Sequence, residues 1–205
     1  MSDLAFHTKL FTEVFVTLVV IMDPVGTIPM FLALTSGRSA KHRRRLAWQA
    51  VLVAIAVITA FALFGQQILD YLGITVPALQ GAGGLLLVLV ALELLTGKQE
   101  APEDAPSSNV ALVPLGTPLL AGPGAIVATI VFVRRADGFD DGLAIAVGIL
   151  AVHVVLYLAL RFANVILRGI REGGVLLVTR ISGLLLSAIA VQLIANASLA
   201  FARQA

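Results

Sequence analysis

Hydrophobic residues run in six long blocks along the chain, covering approximately residues 10–36, 46–64, 76–96, 110–134, 142–161 and 174–196. Each is close to the roughly 20 residues a helix needs to cross the hydrocarbon of a bilayer. The apolar runs are continuous instead of alternating, which argues against the strands of a membrane barrel. The pattern therefore predicts an all-α membrane protein with six transmembrane helices. The first and fourth blocks are slightly long, as expected if each contains an unwound section.

Those two blocks carry breaks in their middles. Asp23-Pro24-Val25-Gly26 interrupts the first and Gly122-Pro123-Gly124-Ala125 the fourth. Shifting the chain by 99 residues without a gap places Pro24 on Pro123, Gly84-Leu85-Leu86-Leu87 on Gly183-Leu184-Leu185-Leu186, Ala91 on Ala190, Glu93 on Gln192 and Leu94 on Leu193. The chain thus reads as two repeats, residues 1–97 and 110–205, joined by a linker at 98–109 that holds two prolines and three acids. Three spans per repeat is an odd number, so the second repeat enters the membrane inverted. Helices broken at equivalent places of two repeats point to a transporter binding site near the midplane.

Composition agrees with a bilayer setting. Of the 205 residues 59% are hydrophobic and 13% charged, and the mean hydropathy is +1.00, too apolar for a soluble domain of this size. The chain has no cysteine, which excludes disulfides, thiolate catalysis and cysteine-ligated metals. Its net charge of +2 comes from clustered arginines instead of a dispersed basic surface, so nucleic acid is a poor partner. The start Met1-Ser2-Asp3-Leu4 has no basic region and no cleavage site follows, so the first block is expected to be a retained span.

The arginines also orient the chain. Arg38, Lys41, Arg43, Arg44 and Arg45 follow the first span, Lys98 the third, and Arg161, Arg168, Arg171 and Arg180 surround the fifth loop. Lys9, Arg134, Arg135 and Arg203 fall on the opposite face. The positive-inside rule then puts the first, third and fifth loops in the cytoplasm and both termini outside. Small residues along the third and sixth spans suit close helix packing and could also support a homodimer.

The candidate chemistry sits at the breaks. Asp23 followed by Pro24 reads as an N-cap with proline at the first helical position, making 24–35 a half-helix that starts inside the membrane. Gly122-Pro123 does the same in the second repeat. Both N-termini are expected to present free N–H groups and partial positive charge, which suits a carboxylate. Asp23 is a functional candidate because an acid at membrane depth costs about 2.5–3.5 kcal/mol on insertion scales. It could pair with a substrate ammonium, hold a coupling H+ or Na+, or only cap its helix. Thr27 could offer a ligand its hydroxyl, and Gly26 and Gly124 could let it approach the backbone; for Gly26 and Thr27 the plainer alternative is turn geometry. Glu93, its repeat partner Gln192, and His153 are candidates for gating or proton coupling. For Glu93 the plainer alternative is an interfacial acid, and for His153 a hydrogen-bonded buried histidine. Asn164 and Asn196 lie at span ends and are expected to cap helices. Pro114 and Pro118 are expected to kink the fourth span.

A carboxylate beside two donor-rich helix ends matches a zwitterion. The expected function is secondary transport of a small neutral amino acid (alanine, glycine or serine) by alternating access, without a resident cofactor and not as an enzyme. A channel, an exporter of another solute including a drug, and an intramembrane enzyme are the alternatives. Asp23, Glu93 and His153 are sparse for the last of these.

The segment Met22-Asp23-Pro24-Val25-Gly26-Thr27-Ile28-Pro29-Met30-Phe31-Leu32-Ala33-Leu34-Thr35 resembles the first signature of the MarC family of inner-membrane proteins. Val113-Pro114-Leu115-Gly116-Thr117-Pro118-Leu119-Leu120-Ala121-Gly122-Pro123-Gly124-Ala125-Ile126 resembles the second. The resemblance covers essentially the whole chain. It implies six transmembrane helices, a place in the lysine-exporter superfamily, and kinship with small neutral amino acid transporters. The family's first signature often carries Asn where this chain has Thr27.

Overall fold

The computed structural model describes residues 2–96 and 120–203. All regular structure among them is helical: α1 (Ser2–Met22), α2 (Thr27–Leu34), α3 (Ala40–Leu72), α4 (Val76–Thr96), α5 (Pro123–Arg134), α6 (Phe139–Arg161) and α7 (Ala163–Ala202). α3, α4, α6 and the Gly173–Ala202 part of α7 are each long and apolar enough to cross a membrane, and α1 with α2 adds a fifth candidate span bent by 49°. The linker, Pro114, Pro118 and residues 110–119 of the expected fourth span lie outside the described residues. What is described of that span is α5, whose 12 residues would extend about 18 Å, roughly half the hydrocarbon thickness.

Much of two expected loops turns out to be helical. Ser39 caps α3 by accepting the His42 N–H at 3.3 Å, so Lys41 to Arg45 occupy the first turns of a 33-residue helix. That helix ends where Gly73 takes the left-handed conformation (φ 66) that a glycine allows. The expected fifth loop is likewise replaced by the first part of α7, and only Phe162 separates α6 from α7. Residues 163–172 contain no proline and many good helix formers, so nothing stops the helix before the next span. Asn196 therefore does not end a helix. It lies within α7 and accepts a hydrogen bond from Gln192 at 2.9 Å.

Packing ties the two halves together. α5 lies against α3 and α4, while α2 lies against α6 and α7. α4 and α7 run antiparallel, because the residues facing Gly81, Gly84 and Ala91 are Ala197, Ala190 and Gly183 in turn. Leu87, Ala91 and Leu94 are buried in one cluster with Leu186, Ala190 and Leu193, three pairs each separated by 99 positions. The glycines repeat the relation: Gly84 meets Ile194 and the Ala190 carbonyl, and Gly183 meets Leu95 and the Ala91 carbonyl. Exchanging the helices reproduces this contact set.

These glycines permit close approach of the helix axes, which dispersion and packing reward in lipid. A Cβ on Gly84 would lie 2.9 Å from the Ala190 carbonyl oxygen, whereas one on Gly183 would lie 3.2 Å from that of Ala91. Gly84→Ala is therefore expected to cost about 1–3 kcal/mol through forced separation of the helices. Gly183→Ala should cost less, and thermal unfolding of both variants in one detergent checks the order.

Candidate functional site

α1 ends because Pro24 has no N–H to give the Val20 carbonyl four residues earlier. Asp23 still donates its N–H to the Val19 carbonyl at 3.0 Å, then takes φ 37. A short polar side chain tolerates that conformation when it bonds locally. Asp23 Oδ1 accepts the Gly26 N–H at 3.1 Å, the Asp23 carbonyl accepts the Thr27 N–H at 3.0 Å, and Thr27 Oγ1 donates to the Pro24 carbonyl at 3.1 Å. These bonds start the next half-helix, but its regular part begins at Thr27 and not at Pro24. They also correct the expectation of free N–H groups at both half-helix ends. At the first end, Asp23 itself takes the Gly26 N–H.

The second break has no such side chain. Gly122 is extended (φ −61, ψ 164), Pro123 occupies the first turn, and the Gly122 carbonyl accepts the Ala125 and Ile126 N–H groups. The Gly124 N–H has no acceptor among the described residues. Gly124 is buried, and its open side is filled by Leu87 and Ile21. Its missing Cβ thus serves helix packing. Pro24 is buried and Pro123 exposed.

Asp23 is only 5% exposed. Both of its side-chain hydrogen bonds fall on Oδ1, the second from Ser182 Oγ of α7 at 3.4 Å. Oδ2 is buried without a partner. Oδ2 and the Thr179 hydroxyl of α7 converge on the face of Gly26 that a Cβ would occupy, Thr179 Oγ1 at 2.8 Å from that point. Gly26 and Thr179 in turn line a cavity of about 500 Å³ together with Pro29 and Leu32 of α2 and Glu93 and Leu94 of α4. The C-terminal ends of α2 and α4 and the N-terminal part of α7 meet there. The cavity accordingly lies at the end of the bundle that carries Arg38 to Arg45.

The structure thus brings Asp23, Gly26, Thr27 and Glu93 to one region, with Glu93 exposed in the cavity wall. Gln192 is exposed and bonded to Asn196 within α7, away from this cavity. His153 is buried on α6, with Nδ1 2.7 Å from the Ile149 carbonyl. Its other ring nitrogen, Nε2, is buried without a hydrogen-bond partner among the described residues.

Sequence reasoning missed Thr179 and Ser182. Their signal was a spacing of three in an apolar span, which puts two hydroxyls on one helix face. It also missed Asp141, which is buried at the start of α6 and accepts the Asp137 N–H at 2.9 Å. His7 Nδ1 lies 3.2 Å from Asp141 Oδ1 and pins α1 to α6.

Membrane-length apolar helices with a buried acid at a helix break are the features of an integral membrane protein with a buried polar site. The MarC family integral membrane protein model matches residues 8–201. The chain belongs to this family. A UPF0056 membrane protein of Methanocaldococcus jannaschii is 38% identical over 95% of this chain and 96% of its own. The UPF0056 membrane protein YhcE of Escherichia coli is 34% identical over 92% of each chain, and YvbG of Bacillus subtilis is 30% identical over 89% and 90%. No solved structure matches the chain.

Proposed function

We propose that this chain is a secondary transporter of small neutral amino acids, working by alternating access and not as an enzyme. The observation that carries the reading is the bare, buried Oδ2 of Asp23 beside a cavity at a broken helix. A buried carboxylate oxygen without a partner is costly, and a cationic group is the natural occupant of such a position. The substrate ammonium would bind there. Its carboxylate would meet the N-terminus of α5, where the Gly124 N–H and the helix dipole favour an anion, once that end, filled here by Leu87 and Ile21, opens. Among the described residues no basic side chain lines the cavity, which favours a neutral amino acid over an acidic one.

In this reading the chain forms two inverted three-helix repeats, 1–97 and 110–205, with 98–109 as a cytoplasmic linker. The exchangeable contacts between α4 and α7 support a two-fold axis in the membrane plane. The halves also differ in a way that suits alternating access. Eight of the 12 residues of α5 are buried, but only three of the eight of α2. The first half-helix stands open on a cavity while its counterpart is sealed against α3 and α4. The positive-inside rule puts the open side in the cytoplasm and both termini outside.

The test is counterflow of labelled alanine or glycine in proteoliposomes, challenged with unlabelled alanine, the free amine and the free acid. Alanine is expected to compete best, because only the zwitterion satisfies both ends. Equal competition by the amine alone would show that the α5 end does not read a carboxylate. Because the chain has no cysteine, single cysteines report access cleanly. Leu32→Cys should react with an impermeant thiol reagent from the cytoplasmic side and its repeat counterpart Val131→Cys should not. The reverse pattern would overturn the orientation.

A further inference from the structure

We infer that Asp23, Thr179 and the end of α1 form a subsite for a primary ammonium group, and that Thr179 makes it discriminate against N-methylated substrates. The inference rests on the transport reading for its biological ligand, but the subsite stands on its own geometry. Asp23 is buried with one oxygen bare. The Thr179 hydroxyl, on a separate element, makes no hydrogen bond among the described residues and points at the same Gly26 face as that oxygen. Among the described residues the two oxygens bond neither each other nor another protein group, which leaves Oδ2 open to a donor from outside.

Further acceptors come from the helix break. The Val20 carbonyl has lost its usual donor because residue 24 is proline, and the Ile21 and Met22 carbonyls receive no backbone N–H among the described residues. Helix carbonyls point toward the C-terminal end, so these three face into the break and add partial negative charge there. The environment is made of oxygen acceptors: a carboxylate, a hydroxyl and carbonyls. A primary ammonium has three N–H donors in the same geometry as lysine's head group and can satisfy three acceptors at once. Each N-methyl group deletes a donor, leaves an acceptor bare and adds volume. The donors available to Asp23 from the protein, Gly26 N–H and Ser182 Oγ, both lie on Oδ1 and hold the carboxylate with Oδ2 turned to the ligand. Ser182 is accordingly a positioning residue and Thr179 a specificity-determining one. Because Oδ2 is shielded from the cavity in this conformation, an ammonium reaches it when α2 and α7 part.

The test compares glycine, N-methylglycine and trimethylglycine by isothermal titration on the purified protein in detergent, with methylammonium and tetramethylammonium as probes that lack a carboxylate. Wild type is expected to prefer glycine to N-methylglycine by about tenfold or more, consistent with loss of one charged hydrogen bond. Thr179→Val should weaken glycine binding by about ten- to hundredfold and narrow the preference for the primary amine. Thr179→Ser should restore both. Equal binding of glycine and trimethylglycine by wild type would overturn the inference, as would an unchanged ratio in a folded Thr179→Val. Saturable Na+ binding that Thr179→Val abolishes and methylammonium does not displace would also overturn it, in favour of a metal cation. Binding of methylammonium without any amino acid counterflow would keep the subsite and sink the transport reading instead.

Discussion

Replacing Asp23 by asparagine is expected to abolish amino acid transport while leaving the protein folded, with an unchanged or higher melting temperature. The two effects separate because the two carboxylate oxygens do different work. Oδ1 takes the Gly26 N–H and the Ser182 hydroxyl, and an amide oxygen can replace it, since Asn caps a helix about as well as Asp. Oδ2 carries the bare half of a buried charge. Removing that charge relieves desolvation, so stability should not fall. In the proposed transport reading the substrate ammonium loses its counter-charge. Loss of a buried hydrogen-bonded charge pair costs about 2–5 kcal/mol, or roughly thirty- to several-thousandfold in affinity. Proteoliposome uptake and a thermal melt of the same preparation check both parts. Unchanged uptake would reduce Asp23 to a cap.

Gly26→Ala is expected to be nearly as damaging, for a steric reason. Its Cβ would overlap the Asp23 carboxylate and lie 2.8 Å from the Thr179 hydroxyl. The carboxylate is fixed by its own hydrogen bonds and by the short reach of the side chain, so it cannot swing aside without releasing the start of α2. A cost of about 1–3 kcal/mol in stability is expected from the overpacking. Transport should fall below detection, because the methyl fills the face on which Oδ2 and Thr179 converge. Pairing Gly26→Ala with Thr179→Ser should recover little, since the collision with Asp23 remains. Substantial uptake by a folded Gly26→Ala protein would show that substrate does not use this face.

Much of this was legible in residue patterns. Length and continuity of the apolar runs give membrane helices, because hydrocarbon leaves the backbone no other partner than itself. Proline and glycine mark both breaks by removing a donor and a Cβ, which are local properties. The acid at the first break announces itself by its cost. The extent of the helices was less legible. Basic residues after the first and fifth blocks read as loops, yet 41–45 and 163–172 are helical, since hydrophobicity marks where a helix enters lipid and not where its hydrogen bonding stops.

The partners of Asp23 lay beyond sequence reasoning. Ser182 is 159 residues away, and nothing in a hydroxyl three positions from another one says which break it will face. That is decided when α7 packs antiparallel on α4, through Gly84 and Gly183, and alongside α2. The same packing decided that Gly124 is filled by Leu87 while Gly26 faces a cavity, although the two breaks look alike as strings of residues. By itself the sequence determined membrane-length helices, two breaks and one costly acid, all set by backbone chemistry and local propensity. Only the tertiary structure decided which carboxylate oxygen is bare, which hydroxyls surround it and which half-helix is open, because each depends on contacts between helices far apart in the chain.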